Sequence, residues 1–326
     1  MNAKTFDESY LLIVADILNN GQLKYNRTGI NTMSLFNRNV ETPELGFDKL
    51  PISQIRKIYW KGAIYEALWL MGIHMNDEKY RKLSFTNTQY LEDNKVMYWK
   101  PWTREGGELG PVYGEQLCRW KKFHKMKLVM DEGDGGYHKS TINQIQTIIK
   151  TLREDRTSRR LVCSMWNPSD IEEMALPPCH YAFEFYVREV AGEAAPRLDI
   201  RWIQRSADML VGIPYNVLIY SIVQKVVALC AGLIPGRVYG SLGDCHVYCN
   251  QIEQAKQLIK LYHGREYSDL AEETSGLTDI LVNPDMVRNA LTYNKLPDLK
   301  DFNPNGNDFI VKNYHSMPKL EIPVAV

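Results

Sequence analysis

The sequence has no excess of charge of either sign, and this absence limits what the whole molecule can attract. Its 39 Lys and Arg residues balance 39 Asp and Glu residues, so the formal net charge is +0 at pH 7. A neutral chain has no overall field that draws in a nucleic acid, and we expect none as a required partner. Any site for an anion must then be a local cluster of arginines.

Cysteine is scarce, and its spacing gives little sign of a metal. Six cysteines occur in 326 residues, and none belongs to a Cys-x-x-Cys pair. Cys245, His246 and Cys249 lie close together, but no second pair of ligands follows at zinc spacing, so we expect no metal. The first ten residues lack the basic and then apolar pattern of a signal peptide. Free thiols in such a chain predict a reducing, cytoplasmic setting.

Long apolar runs without polar residues are also missing. The longest run, residues 213–235, contains four polar residues: Asn216, Ser221, Gln224 and Lys225. These interruptions predict a buried core helix and no membrane span. The sequence contains neither an internal repeat nor a low-complexity tract. Hydrophobic residues make up 44% of the chain, enough for a sizeable core. Because no linker-rich loop divides it, we predict one domain over residues 1–326.

Apolar periodicity places helices and strands in an irregular order. It predicts helices over residues 5–20, 57–71, 141–153 and 250–262, and a long helix from Pro214. It predicts strands over residues 32–40, 161–166, 181–187, 198–203 and 237–243. The charged residues at about 73–96 indicate an expanded surface segment, and residues 131–136 a flexible loop. Without regular βαβ alternation, this pattern predicts an α+β fold with a mixed sheet.

One cysteine stands where a helix must give way to a strand, in Pro177-Pro178-Cys179-His180. Two prolines cannot continue a helix, so Cys179 is expected at the rigid start of a strand. A nucleophilic cysteine acts as the thiolate, which nearby cations favour by lowering the pKa of the thiol. A buried structural cysteine is the ordinary alternative.

Three arginine-containing groups lie at the ends of predicted strands. They are Arg27-Thr28-Gly29, Ser158-Arg159-Arg160 and Gln204-Arg205-Ser206. Guanidinium groups bind phosphate with two hydrogen bonds, and a serine hydroxyl adds another. Paired arginines are also common as solvated surface charge. Together with the Cys-His pair, the three groups predict a small, phosphate-bearing ligand beside a thiol.

The segment from Arg159 to Asn250 resembles the thymidylate synthase family, in SRRLVCSMWNPSDIEEMALPPCH, IRWIQRSADMLVGIPYN and GDCHVYCN. Upstream, RTGINTMSLF, AIYEALWL, YWKPW and GELGPVYGEQ match the family in the same order, and the final PVAV is similar to its mobile C-terminus. The resemblance covers nearly the whole chain. It implies a three-layer α/β fold with a mixed sheet, and a homodimer whose subunits pack sheet against sheet.

The resemblance also implies the reaction and the substrate contacts. The substrate would be 2′-deoxyuridine 5′-monophosphate (dUMP), and the one-carbon donor 5,10-methylenetetrahydrofolate. Cys179 would add to C6 of the uracil ring, and the products would be dTMP and dihydrofolate. The phosphate would be bound by Arg27, Arg205 and Ser206, with Arg159 and Arg160 reaching in from the partner subunit. The remaining residues on the substrate side would be Gln204, His180, His246 and Tyr248, the last two at the deoxyribose hydroxyl.

The same resemblance assigns the groups that move protons, read the base and bind folate. Glu66 would organise waters near O4 and move protons, and Tyr113 would help remove the C5 proton. The amide of Asn216 fits N3–H and O4 of uracil, which predicts dUMP over dCMP. The folate contacts would be Asp208, which also serves catalysis, Trp99, Trp102, Gly212, Arg56 and Val326. A solvent-facing helix glutamate and a helix cap are the ordinary alternatives for Glu66 and Asn216.

Departures from the family pattern lie on the folate side and leave a second activity open. The family's Thr-Thr-Lys is replaced in Ser53-Gln54-Ile55-Arg56-Lys57, Lys100 stands in place of an acidic residue, and residues 73–90 have no counterpart. A sister enzyme, dUMP hydroxymethylase, lets water capture the methylene intermediate and forms 5-hydroxymethyl-dUMP and tetrahydrofolate. A relative kept for RNA binding or a structural role, without catalysis, is the third alternative.

Overall fold

Helices and strands follow one another irregularly in the computed structural model, which describes residues 5–125, 137–293 and 295–324. The first part contains α1 (Phe6–Asn20), β1 (Gln22–Lys24), β2 (Thr32–Glu41), β3 (Lys49–Leu50), α2 (Trp60–Leu70) and α3 (Gln89–Asp93). The middle part contains α4 (Tyr113–Arg119), β4 (Trp120–Lys125), β5 (Tyr137–Ile142), α5 (Gln144–Glu154), β6 (Val162–Ser164), β7 (His180–Arg188), β8 (Arg197–Asp208), α6 (Ile213–Ala231) and β9 (Ile234–Tyr248). The last part contains α7 (Ile252–Tyr262), α8 (Arg265–Thr274), β10 (Thr278–Val282), α9 (Pro284–Thr292) and β11 (Phe309–Lys312).

A six-stranded sheet in the order β1-β2-β9-β8-β7-β6 forms the centre of the fold. Strands β8 and β9 are parallel, whereas the other neighbours in this sheet are antiparallel. A three-stranded sheet β11-β10-β3 and the hairpin β4-β5 lie outside it. The mixed α and β architecture with a mixed sheet confirms the predicted fold class.

The long helix α6 forms the core on one face of the sheet. Every residue of α6 except Tyr215 is buried, and the ring of Tyr220 stacks on Trp202 of β8 with centroids 5.4 Å apart. Among the described residues, α6 is the one helix long and apolar enough to cross a membrane by length and composition, and 94% of that window is buried inside the protein. Burial of this degree confirms the predicted core helix.

Two of the polar interruptions of α6 have partners inside the core. The Gln224 amide donates to the carbonyl oxygens of Leu198 and Arg237 at 2.7 and 2.9 Å, and the Lys225 ammonium donates to the carbonyl of Gly46. Buried polar groups are tolerated when they are hydrogen-bonded. These side chains therefore tie the helix to the sheet and to the loop after β2.

Several predicted elements occur with different ends. Strands β8 and β9 continue beyond the predicted residues 203 and 243, because their parallel pairing includes polar residues such as Ser206 opposite Asp244. Helix α2 begins at Trp60, three residues later than predicted. Just before it, the Ile58 N–H donates to the Tyr314 hydroxyl at 3.0 Å instead of joining the helix.

The segment 73–96 exposes most of its charged residues but is also anchored in the core. Five of its apolar side chains are buried: Ile73, Tyr80, Tyr90, Leu91 and Val96. The Trp69 indole donates to the Asn87 carbonyl at 3.1 Å, which fixes the segment to α2. The average composition of the segment hid aromatic and aliphatic residues that lie between its charges. The predicted loop at 131–136 lies outside the described residues.

The buried apolar side chains form one cluster with members from Phe6 to Met317. The members come from several helices, from strands of the central sheet and from the segments near the chain ends. A continuous core of this kind is compatible with one domain over residues 1–326, which stays our prediction.

Candidate active site

Cys179 lies immediately before β7, and its backbone is held from two sides. Its N–H donates to the hydroxyl of Tyr113 in α4 at 3.0 Å, and its carbonyl accepts from the N–H of Arg205 in β8 at 2.9 Å. The cysteine is half-buried. The chain therefore presents Cys179 from a fixed backbone at the start of a strand, where the two prolines had predicted it.

Two arginines favour the thiolate of Cys179. Burial raises the pKa of the Cys179 thiol above its ordinary value, because Arg205 and Arg27 lower it only in part and Asp208 raises it further. Arg205 donates from Nε and Nη2 to the carbonyls of Pro178 and Pro177, each at 2.9 Å. Opposite charge nearby favours the ionised form of a thiol. The two guanidinium groups predicted at the phosphate are thus the ones that act on the thiol.

Arg27 is exposed and free to bind an anion. It lies between β1 and β2, and its guanidinium donates to no other residue in the part of the chain that the structure describes. Its charge also acts on the hydroxyl of Tyr248. Arg27, Tyr248 and Cys179 therefore share one region of the surface.

Glu66 of α2 is 5% exposed, which excludes the solvent-facing alternative. Its Oε1 accepts from the indole N–H of Trp99 at 2.8 Å, and its Oε2 accepts from the hydroxyl of Tyr98. Burial raises the pKa of Glu66 to about 7, although both hydrogen bonds lower it. A carboxyl group with such a pKa exchanges its proton near neutral pH.

Tyr113 links the Cys179 and Glu66 regions. Its ring lies 5.6 Å from Trp99 and 4.6 Å from His180, centroid to centroid. Its φ of 25° is rare for a residue with a side chain and costs free energy. His180 is tied to the hydroxyl of Tyr220 through Nδ1 at 2.7 Å, and burial lowers its pKa to about 3, so it stays neutral. His180 thus supports the site from inside the core.

The first turn of α6 places an unsatisfied amide beside Asp208. Asn216 is 9% exposed, and its side-chain amide has no hydrogen-bond partner among the described residues. A Cβ on Gly212 would lie 3.5 Å from Asn216 Oδ1 and 3.2 Å from the Asp208 carbonyl, so both residues lie close to this glycine. The Asn216 amide can therefore pair with a bound base.

Asp208 caps the turn that leads into α6. Its Oδ1 accepts from the N–H groups of Leu210 and Val211 at 3.0 and 2.9 Å. Burial raises the pKa of Asp208, and the Val211 hydrogen bond and the charge of His246 lower it. The carboxylate is therefore fixed by its own backbone, with its other oxygen left for a ligand.

His246 lies opposite Asp208 in the pairing of β8 and β9. Its Nδ1 is 3.3 Å from Asp244 Oδ1, and its ring meets the Tyr248 ring at 90° with centroids 5.3 Å apart. Both side chains predicted at the sugar therefore stand at one end of β9. Gln204 differs, because its amide accepts from Trp202 and donates to the Ser206 carbonyl, at 3.0 and 2.8 Å.

Arg159 and Arg160 are not brought to Cys179 within this chain. Both are exposed before β6, and the charges that act on the Cys179 thiol come from other residues. Arg160 instead lines a separate cavity of about 300 Å³ with residues of β5, α5 and β6. Their contribution to a phosphate site in a neighbouring subunit stays a prediction.

The folate-side residues are only partly assembled. Trp102 is half-buried with its ring 6.3 Å from Trp99, and Lys100 is exposed. Arg56 is buried at 7% exposure and donates from Nη2 to the Leu210 carbonyl at 2.5 Å, while its Nε has no partner. The Arg56 guanidinium is directed toward the turn after Asp208. It is therefore less exposed than a surface group that would bind the tail of folate. Val326 lies outside the described residues.

The sequence analysis missed Tyr98, which bonds to Glu66. The signal was present, because Tyr98 is the first residue of the YWKPW motif. It also missed Tyr220, the core partner of His180. Among the described residues, no group of three or more His, Cys, Asp or Glu side chains is placed to hold a metal ion.

Comparison with known proteins agrees with this geometry. A family model described as "Thymidylate synthase" matches residues 8–326. Three curated proteins named thymidylate synthase, from Coxiella burnetii strains Dugway 5J108-111, RSA 331 / Henzerling II and RSA 493 / Nine Mile phase I, are each 34% identical to this chain over 322 residues. The match covers 98% of this chain and 100% of each relative.

Proposed function

The chain belongs to the thymidylate synthase family, and we propose that it methylates dUMP at C5 through a covalent bond between Cys179 and C6 of the base. The family's reaction is methyl transfer to dUMP, with 5,10-methylenetetrahydrofolate as co-substrate. One observation carries the assignment of residues. The charges of Arg205 and Arg27 act on the thiol of Cys179, and the backbone N–H of Cys179 donates to the Tyr113 hydroxyl.

Substrate binding begins with the phosphate and the base. Arg27, Arg205 and Ser206 would bind the phosphate, which places the uracil ring next to the thiol. The amide of Asn216, which has no protein partner among the described residues, would pair with N3–H and O4 of the base. His246 and Tyr248 would bind the deoxyribose hydroxyl. Binding thus turns the addition of sulfur to C6 into an intramolecular step.

The Cys179 thiolate then forms a bond to C6, and negative charge moves to O4 and C5. Glu66, with its pKa of about 7, would move protons between the waters near O4 and the folate nitrogen. The Tyr113 hydroxyl accepts from the Cys179 N–H, so its own hydrogen stays available to an acceptor near C5. A water that accepts this hydrogen would take up the C5 proton, because burial raises the pKa of Tyr113 and keeps the hydroxyl itself protonated.

The co-substrate supplies the methylene carbon and then a hydride, and leaves as dihydrofolate. C5 loses its proton and gains the carbon, and the S–C6 bond breaks when dTMP is released, so the thiol returns unchanged. Trp99, Trp102, Asp208 and Gly212 would line the folate pocket. The buried indole of Trp99 fits a flat ring system.

The alternative activity is dUMP hydroxymethylation. Two features on the folate side of the site support retaining it as a candidate. Lys100 departs from the family pattern, and Arg56 is buried against the Leu210 carbonyl. If these changes admit a water, its oxygen would add to the exocyclic methylene group. The products would then be 5-hydroxymethyl-dUMP and tetrahydrofolate, with no oxidation of folate.

One reaction separates these activities. Purified protein is mixed with dUMP and 5,10-methylenetetrahydrofolate, absorbance reports dihydrofolate, and mass spectrometry weighs the nucleotide. We expect a gain of one CH2 unit together with dihydrofolate. A gain of CH2O without dihydrofolate would identify the hydroxymethylase, and an unchanged nucleotide would leave only a binding protein.

Asn216 provides a test of base choice. Asp at this position can accept from the 4-amino group of cytosine and, when protonated, donate to its N3. We expect Asn216→Asp to shift the ratio of kcat/KM for dCMP over dUMP upward by about tenfold or more, since an unpaired buried group costs about 1–3 kcal/mol. The measurement is competition between the two nucleotides. A ratio equal to that of the wild type would remove Asn216 as the group that reads the base.

The proposed assembly is a homodimer that packs sheet against sheet. Side chains of β8 alternate, so that Trp202 faces α6 while Arg201 and Arg205 are exposed on the opposite face. Phe36 of β2 and Tyr186 of β7 are 76% and 68% exposed. Large exposed apolar side chains mark interaction surfaces, and a two-fold pairing would carry Arg159 and Arg160 toward the other subunit. A cytoplasmic location remains part of this proposal.

A further inference from the structure

The Glu66 carboxylate has a hydrogen-bond donor on each oxygen, and the two donors are adjacent in the chain. The Trp99 indole N–H donates to Oε1 at 2.8 Å, and the Tyr98 hydroxyl donates to Oε2. A carboxylate bonded at one oxygen can still turn about its terminal bond. Donors on both oxygens fix the plane of the group, which is how supporting residues hold a reacting side chain in place.

The two donors differ in their surroundings. Trp99 is 6% exposed and packs on Trp69 and Tyr113 with ring centroids 5.7 and 5.6 Å apart, so it belongs to the core. Tyr98 is 42% exposed, and its ring lies 6.3 Å from Tyr215 in the first turn of α6. Tyr98 therefore stands between Glu66 and the helix end that carries Asn216, on the open side of the pocket.

We propose that Tyr98 is a positioning residue, whose hydroxyl holds the Glu66 carboxylate in the orientation from which it exchanges a proton with the bound reactants. This inference rests on the proposed function of the site. Tyr98 is also the more exposed of the two Glu66 partners. Trp99 alone anchors one oxygen and leaves the other free to turn.

The groups around Glu66 determine the direction in which its pKa should change when the Tyr98 hydroxyl is removed. Besides Tyr98 and Trp99, they are Tyr113 of α4 and Tyr220 of α6, whose pKa values are raised chiefly by burial and further by the charge of Glu66. Among the described residues, no lysine or arginine forms an ion pair with Glu66. A hydrogen bond to the ionised carboxylate lowers its pKa, so loss of the Tyr98 hydroxyl leaves burial less opposed and raises it.

The variant Tyr98→Phe removes the hydroxyl and keeps the ring. We expect the limb of the kcat profile that belongs to Glu66 to move to higher pH by about half to one unit. We also expect kcat to fall several-fold while KM for dUMP stays unchanged. Tyr59→Phe is the matched control, because Tyr59 is 45% exposed and donates to the Asn94 carbonyl at 3.3 Å without touching Glu66.

A second readout does not depend on turnover. Glutamate labelled with 13C at the side-chain carboxyl is titrated by NMR, and the signal absent from Glu66→Gln identifies Glu66. A higher pKa in Tyr98→Phe than in the wild type supports the inference, and equal pKa values with equal pH profiles overturn it. A wild type that makes no product from dUMP contradicts the proposed function, while the titration still reports on Tyr98. Tyr98→Met removes the same donor if Tyr98→Phe does not fold.

Discussion

Replacing Cys179 by alanine is expected to abolish turnover of dUMP while nucleotide binding persists. The sulfur is the atom that forms the bond to C6, and no neighbouring group in the described site is placed to substitute for it. Loss of a nucleophile typically costs at least about 10⁴-fold in kcat. The measurement pairs steady-state turnover with dUMP binding by calorimetry. Binding should survive because Arg27, Arg205 and Asn216 are unchanged.

The matched control for this variant is Cys249→Ala. Cys249 is the other half-buried cysteine, and the remaining four are buried. It follows Tyr248 at the end of β9, and we give it no role in the reaction. Cys249→Ala should keep its activity. Turnover that survives in Cys179→Ala, or disappears equally in Cys249→Ala, would contradict the assignment of Cys179.

The second large effect is expected for Glu66→Gln. An amide cannot take up or release a proton near neutral pH, so the variant loses proton transfer while the shape of the side chain is kept. General acid–base groups contribute about 10²–10⁴-fold, and we expect kcat to fall by that amount. The dUMP affinity should change little, since Glu66 is not among the phosphate contacts.

The pH profile of kcat shows which titration step Glu66→Gln should remove. Burial raises the pKa of Glu66 to about 7, so the carboxyl is protonated below that pH and ionised above it. The wild type should therefore show a titration step near pH 7 that Glu66→Gln lacks. Glu115→Gln is the control, because Glu115 lies on neighbouring α4 and faces Arg119 at 3.8 Å. A step of the same pKa in Glu66→Gln would assign it to another group.

Local patterns predicted the elements that hold the site but not their ends. The two prolines before Cys179 and the apolar run of α6 were sufficient, because backbone restriction and uniform burial are local properties. The extension of β8 to Asp208 was missed, since its polar residues are held by pairing with β9. Likewise, the charges of residues 73–96 concealed Tyr90 and Leu91, which are buried.

The site itself depended on contacts between distant parts of the chain. The bond from Tyr98 to Glu66 joins residues 32 positions apart, and no periodicity predicts such a contact. Arg56 was expected among the folate contacts from the resemblance, whereas its hydrogen bond to the Leu210 carbonyl is a tertiary property. The predicted contact of Arg159 and Arg160 with a phosphate depends on a second subunit, so the sequence of one chain cannot determine it.

The central claim is the bond between Cys179 and C6, and one measurement tests it directly. The protein is incubated with 5,10-methylenetetrahydrofolate and a dUMP analogue that carries fluorine at C5. Fluorine cannot leave as the proton does, so the reaction should stop with the nucleotide and the folate joined to the protein. We expect intact-protein mass spectrometry to show both additions and digestion to place them on the peptide that contains Cys179. An unmodified protein, from a preparation that converts dUMP to product, would contradict the account.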